Sequence, residues 1–263
     1  MFLIISSITY LISVLRLFEF LIRVLLAAVT SVFRIAFIFG FQNSAPIAND
    51  IFLVEQFFNK GLRFMQLTYN NQTPLGGGCF ESKDSGVSRF GKAVIEEMNR
   101  LGIMIDISHP SKEAIRQMIT LSKAPVIASH SSARSLCDHS RNLDDEQLAW
   151  IKNNGGVVQT VAFKSYLNSE KSNNNISVNV SDFVNHIDYL VNTIGINHVG
   201  ISSDFDGGGG IEGWNDASET FNITLELVRR NYSEVEIEKL WSGNLLRVLD
   251  EVSETAIKLQ AEL

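Results

Sequence analysis

The chain has 263 residues, of which 45% are apolar and 19% charged, and its formal net charge is −7. That composition builds a packed core and excludes a disordered or fibrous chain. The acidic balance also excludes nucleic-acid binding through a basic face, which needs clustered Lys and Arg. Cys79 and Cys137 are the only cysteines. They are too few for a disulfide framework or a Cys-rich zinc knuckle, so any metal site must draw on His and carboxylates.

The average hides a seam. Residues 1–40 carry four charges, Arg16, Glu19, Arg23 and Arg34, and the remaining 223 residues carry the other 47. The run from Phe2 to Leu15 is free of charge for 14 residues, short of the ~20 that a spanning helix needs. Extending it to Ile22 takes in Arg16 and Glu19, which stand three apart and can pair on one helix face. The basic residues follow the apolar run, the reverse of a signal peptide. Three readings of residues 1–34 stay open: a membrane anchor or interfacial helix giving membrane contact, a helix packed on the domain, or a segment that is not native-like, left by a truncated or misread gene start. Localisation follows from that choice, membrane-associated in the first case and cytoplasmic if the segment is no anchor. The polar C-terminus carries no lipid-anchor signal.

From Ile35 onward, short apolar runs alternate with amphipathic segments, defining a second region over residues 35–263. Ile35–Phe41 reads as a buried strand, Asp50–Lys60 as a helix and Leu62–Leu67 as the next strand. Phe90, Val94, Met98 and Leu101 recur at helical spacing, and Gly102 stops that helix. Ile103–Ile107 is a strand, Ser111–Ser122 a helix and Pro125–Ala128 a strand. Asp144-x-x-Gln147 opens a helix with a capping box, ending near Gly155. Gly156–Phe163 is a strand. The Asn-rich run Asn168–Asn179 reads as a surface loop. Ser181–Ile194 is a helix closed by Gly195, and His198–Ser202 a strand. A helix around Thr220–Arg230, a short one capped by Ser233-x-x-Glu236 and a last one over Leu245–Ser253 complete the chain.

Continuous apolar strands alternating with helices imply a parallel sheet covered on both faces. The expected fold class is α/β, a (β/α)₈ TIM-type barrel that is incomplete, with about six βα units visible. An open doubly wound sheet is the rival topology. No Gly-x-Gly-x-x-Gly follows the first strand, which counts against a dinucleotide fold. Neither Gly76–Gly78 nor Gly207–Gly210 is followed by Lys-Ser or Lys-Thr, so neither reads as a phosphate cradle.

Three strands end alike. Ile-Met-Ile-Asp-Ile-Ser stops at His109, Pro-Val-Ile-Ala-Ser at His130, and His-Val-Gly-Ile-Ser-Ser at Asp204. In a parallel barrel the carboxyl ends of all strands open on one face, so two imidazoles and a carboxylate converge without sequence adjacency. These ligand types suit zinc and similar divalent ions. A bound metal makes hydroxide available near neutral pH, and a nearby carboxylate can take and return a proton. A single His after a strand is usually a loop or capping residue; the shared register of three groups is what points to a site. His139, His186 and His198 have plain structural explanations. Ser131 and Ser132 follow His130 without a nucleophile elbow. Arg134 and Arg141 lie in the loop after His130, either as surface residues or to hold a substrate carboxylate by a bidentate pair.

At these residues the chain resembles the membrane dipeptidase (renal dipeptidase) family of zinc peptidases, bacterial members most closely. The stretches that carry the resemblance are GLRFMQLTYNNQTPLGGGC, SGVSRFGKAVIEEMNRLGIMIDISHPS, APVIASHSSARSLCDHSRNLDDEQLAWIKNNGGVV, HVGISSDFDG and GNLLRVLDEV. D-x-S-H, S-H-S-S-A-R, R-N and D-F-D-G occur in that order. The resemblance implies a (β/α)₈ barrel with two zinc ions, hydrolysis of dipeptides and a homodimer. By motif, His109 and His130 match the histidines of one zinc, Asp204 the acid that shuttles protons with the bridging water, and Arg141 the arginine that holds the substrate carboxylate.

The departures are specific. The family's first strand carries a His-x-Asp pair for the other zinc, and no His precedes His109. Gln42 stands where the resemblance places a metal-bridging Glu, and a neutral amide is a poor bridge between two cations. Tyr69 stands at a substrate-facing His. Residues 1–34 match nothing in the family, so the N-terminal part is expected to be lacking and metal loading to be one zinc or weak. Three functions follow: a zinc dipeptidase, a catalytically impaired dipeptidase-like protein, or another metal-dependent amidohydrolase acting on cyclic amides or esters.

Overall fold

The structure is a computed structural model and describes residues 2–5 and 36–262. Its centre is an all-parallel sheet of β1 (Phe2–Ile5), β2 (Ala36–Phe41), β3 (Leu62–Gln66), β4 (Met104–Asp106), β5 (Ile127–Ala128), β6 (Val157–Val161) and β7 (Val199–Ser202), hydrogen-bonded in chain order. The six strands β2–β7 curl into a half-barrel, as a partial TIM-type barrel does. The doubly wound alternative is excluded, because its strand order reverses at a switch point and this one runs straight.

Phe2–Ile5 form a strand paired in parallel with β2, Phe2 opposite Ala36 and Ile5 opposite Phe39. A helix beginning at Phe2 is therefore corrected for these four residues. The rest of the anchor reading falls on residues outside those described. Among the described residues no helix is long and apolar enough to cross a membrane.

The helices are α1 (Phe52–Asn59), α2 (Arg89–Leu101), α3 (Lys112–Leu121), α4 (Asp145–Asn154), α5 (Lys164–Leu167), α6 (Ser169–Asn173), α7 (Val180–Ile194), α8 (Phe221–Arg229), α9 (Glu234–Glu238) and α10 (Asn244–Ala261). Their ends follow local chemistry. Ser88 accepts from the Gly91 amide to start α2, and Gly102, at φ 84°, ends it. Asp144 and Gln147 close a reciprocal capping box on α4, as Ser233 and Glu236 do on α9. Two expectations are corrected. The Asn-rich run contains α6, because the Asn168 side chain accepts from the Lys171 amide as an N-cap. The last helix runs well past Ser253, to Ala261.

Strand residues alternate between two apolar clusters, as the period of two requires. Met65, Ile105, Ala128 and Val158 face the layer of outer helices. Phe64, Met104, Ile127 and Val157 face the other way and pack on Leu245, Val248 and Val252 of α10. One step further toward the carboxyl ends, the same face carries Gln66, Asp106, Ser129 and Gln159, all buried. The concave face is thus apolar where α10 seals it and polar at the rim. The π-turn Lys239–Gly243, which leads into α10, packs against the edge strand β7, and the Asn244 amide nitrogen donates to the Val199 carbonyl at 2.8 Å. An exposed edge strand invites further pairing; here this segment lies over it.

Candidate active site

Parallel pairing puts all the strand carboxyl ends on one rim. His109 follows β4, His130 follows β5 and Asp204 follows β7. The first two meet. His109 Nε2 and His130 Nε2 lie 2.8 Å apart, and both residues are buried. Burial and the neighbouring Arg141 guanidinium push both imidazoles well below their usual range, so both are neutral at pH 7.

The other ring nitrogens fix which atom carries the proton. His109 Nδ1 lies 2.8 Å from the Asn70 side-chain oxygen, an acceptor, so Nδ1 is the donor. Arg141 Nη2 lies 3.2 Å from His109 Nε2, and a guanidinium can only donate. Both contacts make His109 Nε2 a lone pair. At His130, Nδ1 lies 2.7 Å from Ser129 Oγ. That hydroxyl spends its own hydrogen on Asp106 Oδ2 at 2.5 Å, so it accepts from Nδ1. His130 Nε2 is then a lone pair too. Two buried acceptors face each other with no proton between them, an unfavourable contact that a shared cation relieves.

A tetrahedral zinc with Zn–N of 2.0–2.1 Å would hold two nitrogens about 3.3 Å apart, a small adjustment from the observed separation. The imidazole pair therefore fits one metal ion. It does not extend further: among the described residues no three His, Cys, Asp or Glu side chains cluster closely enough to hold a metal. Asp204 does not join the imidazoles as a third donor.

Asp204 instead lines, with His130, Gln42 and Gln159, a cavity of about 640 Å³ whose apolar wall includes Phe205, Trp214 and Trp241. Burial and the adjacent Asp206 carboxylate raise the Asp204 carboxyl to about 6, against the pull of Arg141. Its backbone sits at φ 52°, a left-handed conformation uncommon outside Gly, Asn and Asp. The glycine loop that follows holds it there. The Gly207 and Gly209 amides both donate to the Asp204 carbonyl, at 3.0 and 2.7 Å. A Cβ on Gly209 would stand 2.0 Å from the Ser203 carbonyl oxygen, which cannot swing aside. Gly209→Ala should therefore cost roughly 1–3 kcal/mol of stability through overpacking, read as a lower denaturation midpoint at unchanged slope.

Arg141 is buried. Nη1 donates to the Ser108 carbonyl, Nη2 to the His130 carbonyl at 3.2 Å, and the guanidinium lies 5.6 Å from the centre of the Tyr166 ring. Its Nε has no partner. Of its two sequence readings, the surface one is excluded. Tyr69 stacks on His109 with ring centroids 4.1 Å apart. His139, read as a loop residue, accepts from the Arg141 amide at 3.1 Å. His186 accepts from the Ala133 amide and donates to the Leu167 carbonyl, pinning the loop after His130 from behind.

Sequence reasoning missed Asn70, Gln66, Asp106, Ser108 and Ser129. The available signal was a polar residue inside an otherwise apolar buried strand or at its end.

Residues 25–263 match the family model described as Membrane dipeptidase (Peptidase family M19). The chain is 35% identical over 233 residues to Dipeptidase 3 of Rattus norvegicus, covering 86% of this chain and 46% of that protein. To Dipeptidase aclJ of Aspergillus oryzae it is 34% identical over 229 residues, covering 86% and 54%. Among solved structures, the probable dipeptidase PvdM from Pseudomonas aeruginosa superimposes with a TM-score of 0.78 at 31% identity, covering 84% of this chain and 70% of that one. A metallo peptidase from Rhodobacter sphaeroides, liganded with a phosphinate mimic of the dipeptide L-Ala-D-Ala, gives 0.78 at 27%, covering 83% and 64%. The chain belongs to the membrane dipeptidase family, M19, a family of metallopeptidases. It spans about half the length of the curated relatives it matches.

Proposed function

We propose that the chain hydrolyses the peptide bond of dipeptides with zinc held by His109 and His130. The observation that carries this reading is the pair of buried imidazoles whose Nε2 atoms lie 2.8 Å apart while each Nδ1 is within hydrogen-bond distance of an oxygen, beside a cavity that also holds a carboxylate raised to about 6. When bound, zinc supplies Lewis-acid polarisation of a carbonyl and acidifies a water.

The chain's own residues do the rest. Asp204, ionised above about pH 6, takes a proton at its carboxylate and returns it to the leaving amine, since its affinity is matched to neutral pH. Arg141, buried with its two terminal nitrogens on the Ser108 and His130 carbonyls, places a fixed positive charge beside the imidazole pair, and it would hold a substrate carboxylate only by giving up one of those carbonyls. Tyr69, stacked on His109, would meet the substrate beside the imidazole pair, and Phe205, Trp214 and Trp241 offer the cavity an apolar wall for its side chains. The Rhodobacter neighbour's dipeptide mimic makes L,D-dipeptides the first substrates to assay.

A second reading, a catalytically impaired relative, is favoured by one observation: among the described residues the metal donors stop at two, and neutral Gln42 faces the same cavity. Zinc titration with a dipeptide panel separates the two. Turnover that depends on added zinc establishes the first. At most one zinc per chain with no turnover of any L,L- or L,D-dipeptide establishes the second. Hydrolysis of cyclic amides or esters alone would assign a different amidohydrolase.

A further inference from the structure

The buried carboxylate of Asp106 has no role in the reaction outlined above, yet it organises the site's floor. It is fully buried in β4, as is Gln66 in the neighbouring strand. Oδ1 accepts from the Ser108 amide at 3.1 Å, the Ser108 hydroxyl at 2.6 Å and the Ser129 amide at 3.1 Å. Oδ2 accepts from Gln66 Nε2 at 2.8 Å and Ser129 Oγ at 2.5 Å. Ser108 Oγ in turn accepts from the His130 amide at 3.1 Å. Both serine hydrogens are therefore committed to Asp106. The 3.2 Å contact between the two hydroxyls has no proton left to share.

The geometry points to Asp106 as the positioning residue for His130: through Ser129 Oγ it holds the imidazole in the Nδ1–H form, leaving Nε2 free to bind a metal. This inference rests on the metal reading of the His109–His130 pair. A ligating histidine whose second nitrogen donates to a carboxylate-backed acceptor is oriented and made more basic.

The donor count makes the role testable by one atom. In Asp106→Asn, the amide nitrogen cannot replace Oδ1, where two backbone amides donate. It must take the Oδ2 place. Gln66 then turns over, since its Oε1 has no partner in the native arrangement and can accept from the new amide. Ser129 Oγ also becomes an acceptor there, so its hydrogen passes to His130 Nδ1. The imidazole proton is driven to Nε2, where it blocks the metal.

The experiment uses the full chain labelled with ¹⁵N-histidine, with His130 assigned through its own substitution. Two-bond ¹⁵N–¹H correlations of metal-free protein report the tautomer, and zinc affinity is read by chelator competition. The wild type should show Nδ1–H at His130. Asp106→Asn should show Nε2–H and bind zinc 10- to 100-fold more weakly. Ser129→Ala should weaken zinc similarly, and Ser129→Thr should restore it; this pair decides if Asp106→Asn does not fold. A folded Asp106→Asn that keeps Nδ1–H and wild-type zinc affinity, or a Ser129→Ala that binds zinc as the wild type does, overturns the assignment. A lower melting temperature without a tautomer change would mark Asp106 as structural only and overturns it too. If wild-type protein binds no zinc, the proposed function fails, while the tautomer comparison still decides the role of Asp106.

Discussion

His130→Ala should abolish zinc-dependent dipeptide hydrolysis while leaving the metal-free protein folded. Removing one of two nitrogen ligands forfeits the several kcal/mol that a metal contributes to such a reaction, a loss of roughly 10³-fold or more in kcat/KM. The effect on stability runs in two directions. Truncating a buried side chain leaves a cavity, but it also removes one of two lone pairs that face each other at 2.8 Å. The metal-free melting temperature should therefore fall less than burial alone implies. The rise in melting temperature that added zinc should give the wild type, because a ligand that binds the folded state stabilises it, should vanish. A calorimetric scan with and without zinc checks both, and a variant that keeps its zinc-induced rise would remove His130 from the metal site.

Asp204→Asn should lower kcat/KM by about 10²–10⁴-fold, the range expected when a general acid–base is lost. Asn adopts the left-handed backbone at φ 52° as readily as Asp, so the loop is kept. Wild-type activity should rise with pH through about 6 as the carboxylate ionises, and the variant's residual rate should lack that step. Stability should move the other way. The folded-state affinity for the proton is raised above the unfolded one, so between about pH 4 and 6 the native state holds more protons. Stability contributed by the protonated form is lost as pH rises through that window. Asn carries no such penalty. The variant should match wild type below pH 4 and exceed it by roughly 2–3 kcal/mol at most above pH 6. Denaturant melts at pH 4 and pH 8 check the sign.

What the sequence made legible depended on period and position. The runs ending at His109, His130 and Asp204 showed their strands because buried parallel strands read as unbroken apolar stretches. Asp144 and Ser233 marked helix starts because capping is local chemistry; Ser88 caps α2 in the same way without having been read from the sequence. Asn168 does the same for α6, but a single cap inside an Asn-rich run does not stand out from loop composition. The meeting of His109 and His130 followed from parallel topology alone. The separation of Asp204 from them did not, because the left-handed turn at Asp204 and the glycine loop set its reach, and neither has a periodic signature. The burial of Arg141 was likewise invisible: its partners are the carbonyls of Ser108 and His130, which every residue possesses. Asp106, Gln66 and Ser129 were readable only as polar interruptions of apolar strands, and their partnership spans 40 and 23 residues of sequence.

The unbroken strand order has a consequence for how such a molecule assembles. Each strand pairs with the strand before it, so no pairing waits for a distant part of the chain to arrive. Contacts between successive units resemble those of a stacked array, where cohesion accumulates neighbour by neighbour and loop-closure cost stays small. The exception is α10, whose Gln260 reaches back across 160 residues to the Arg100 carbonyl. Among the described residues this last helix makes the hydrogen bond of longest sequence span, and its docking ties a row of adjacent modules into a single cooperative body.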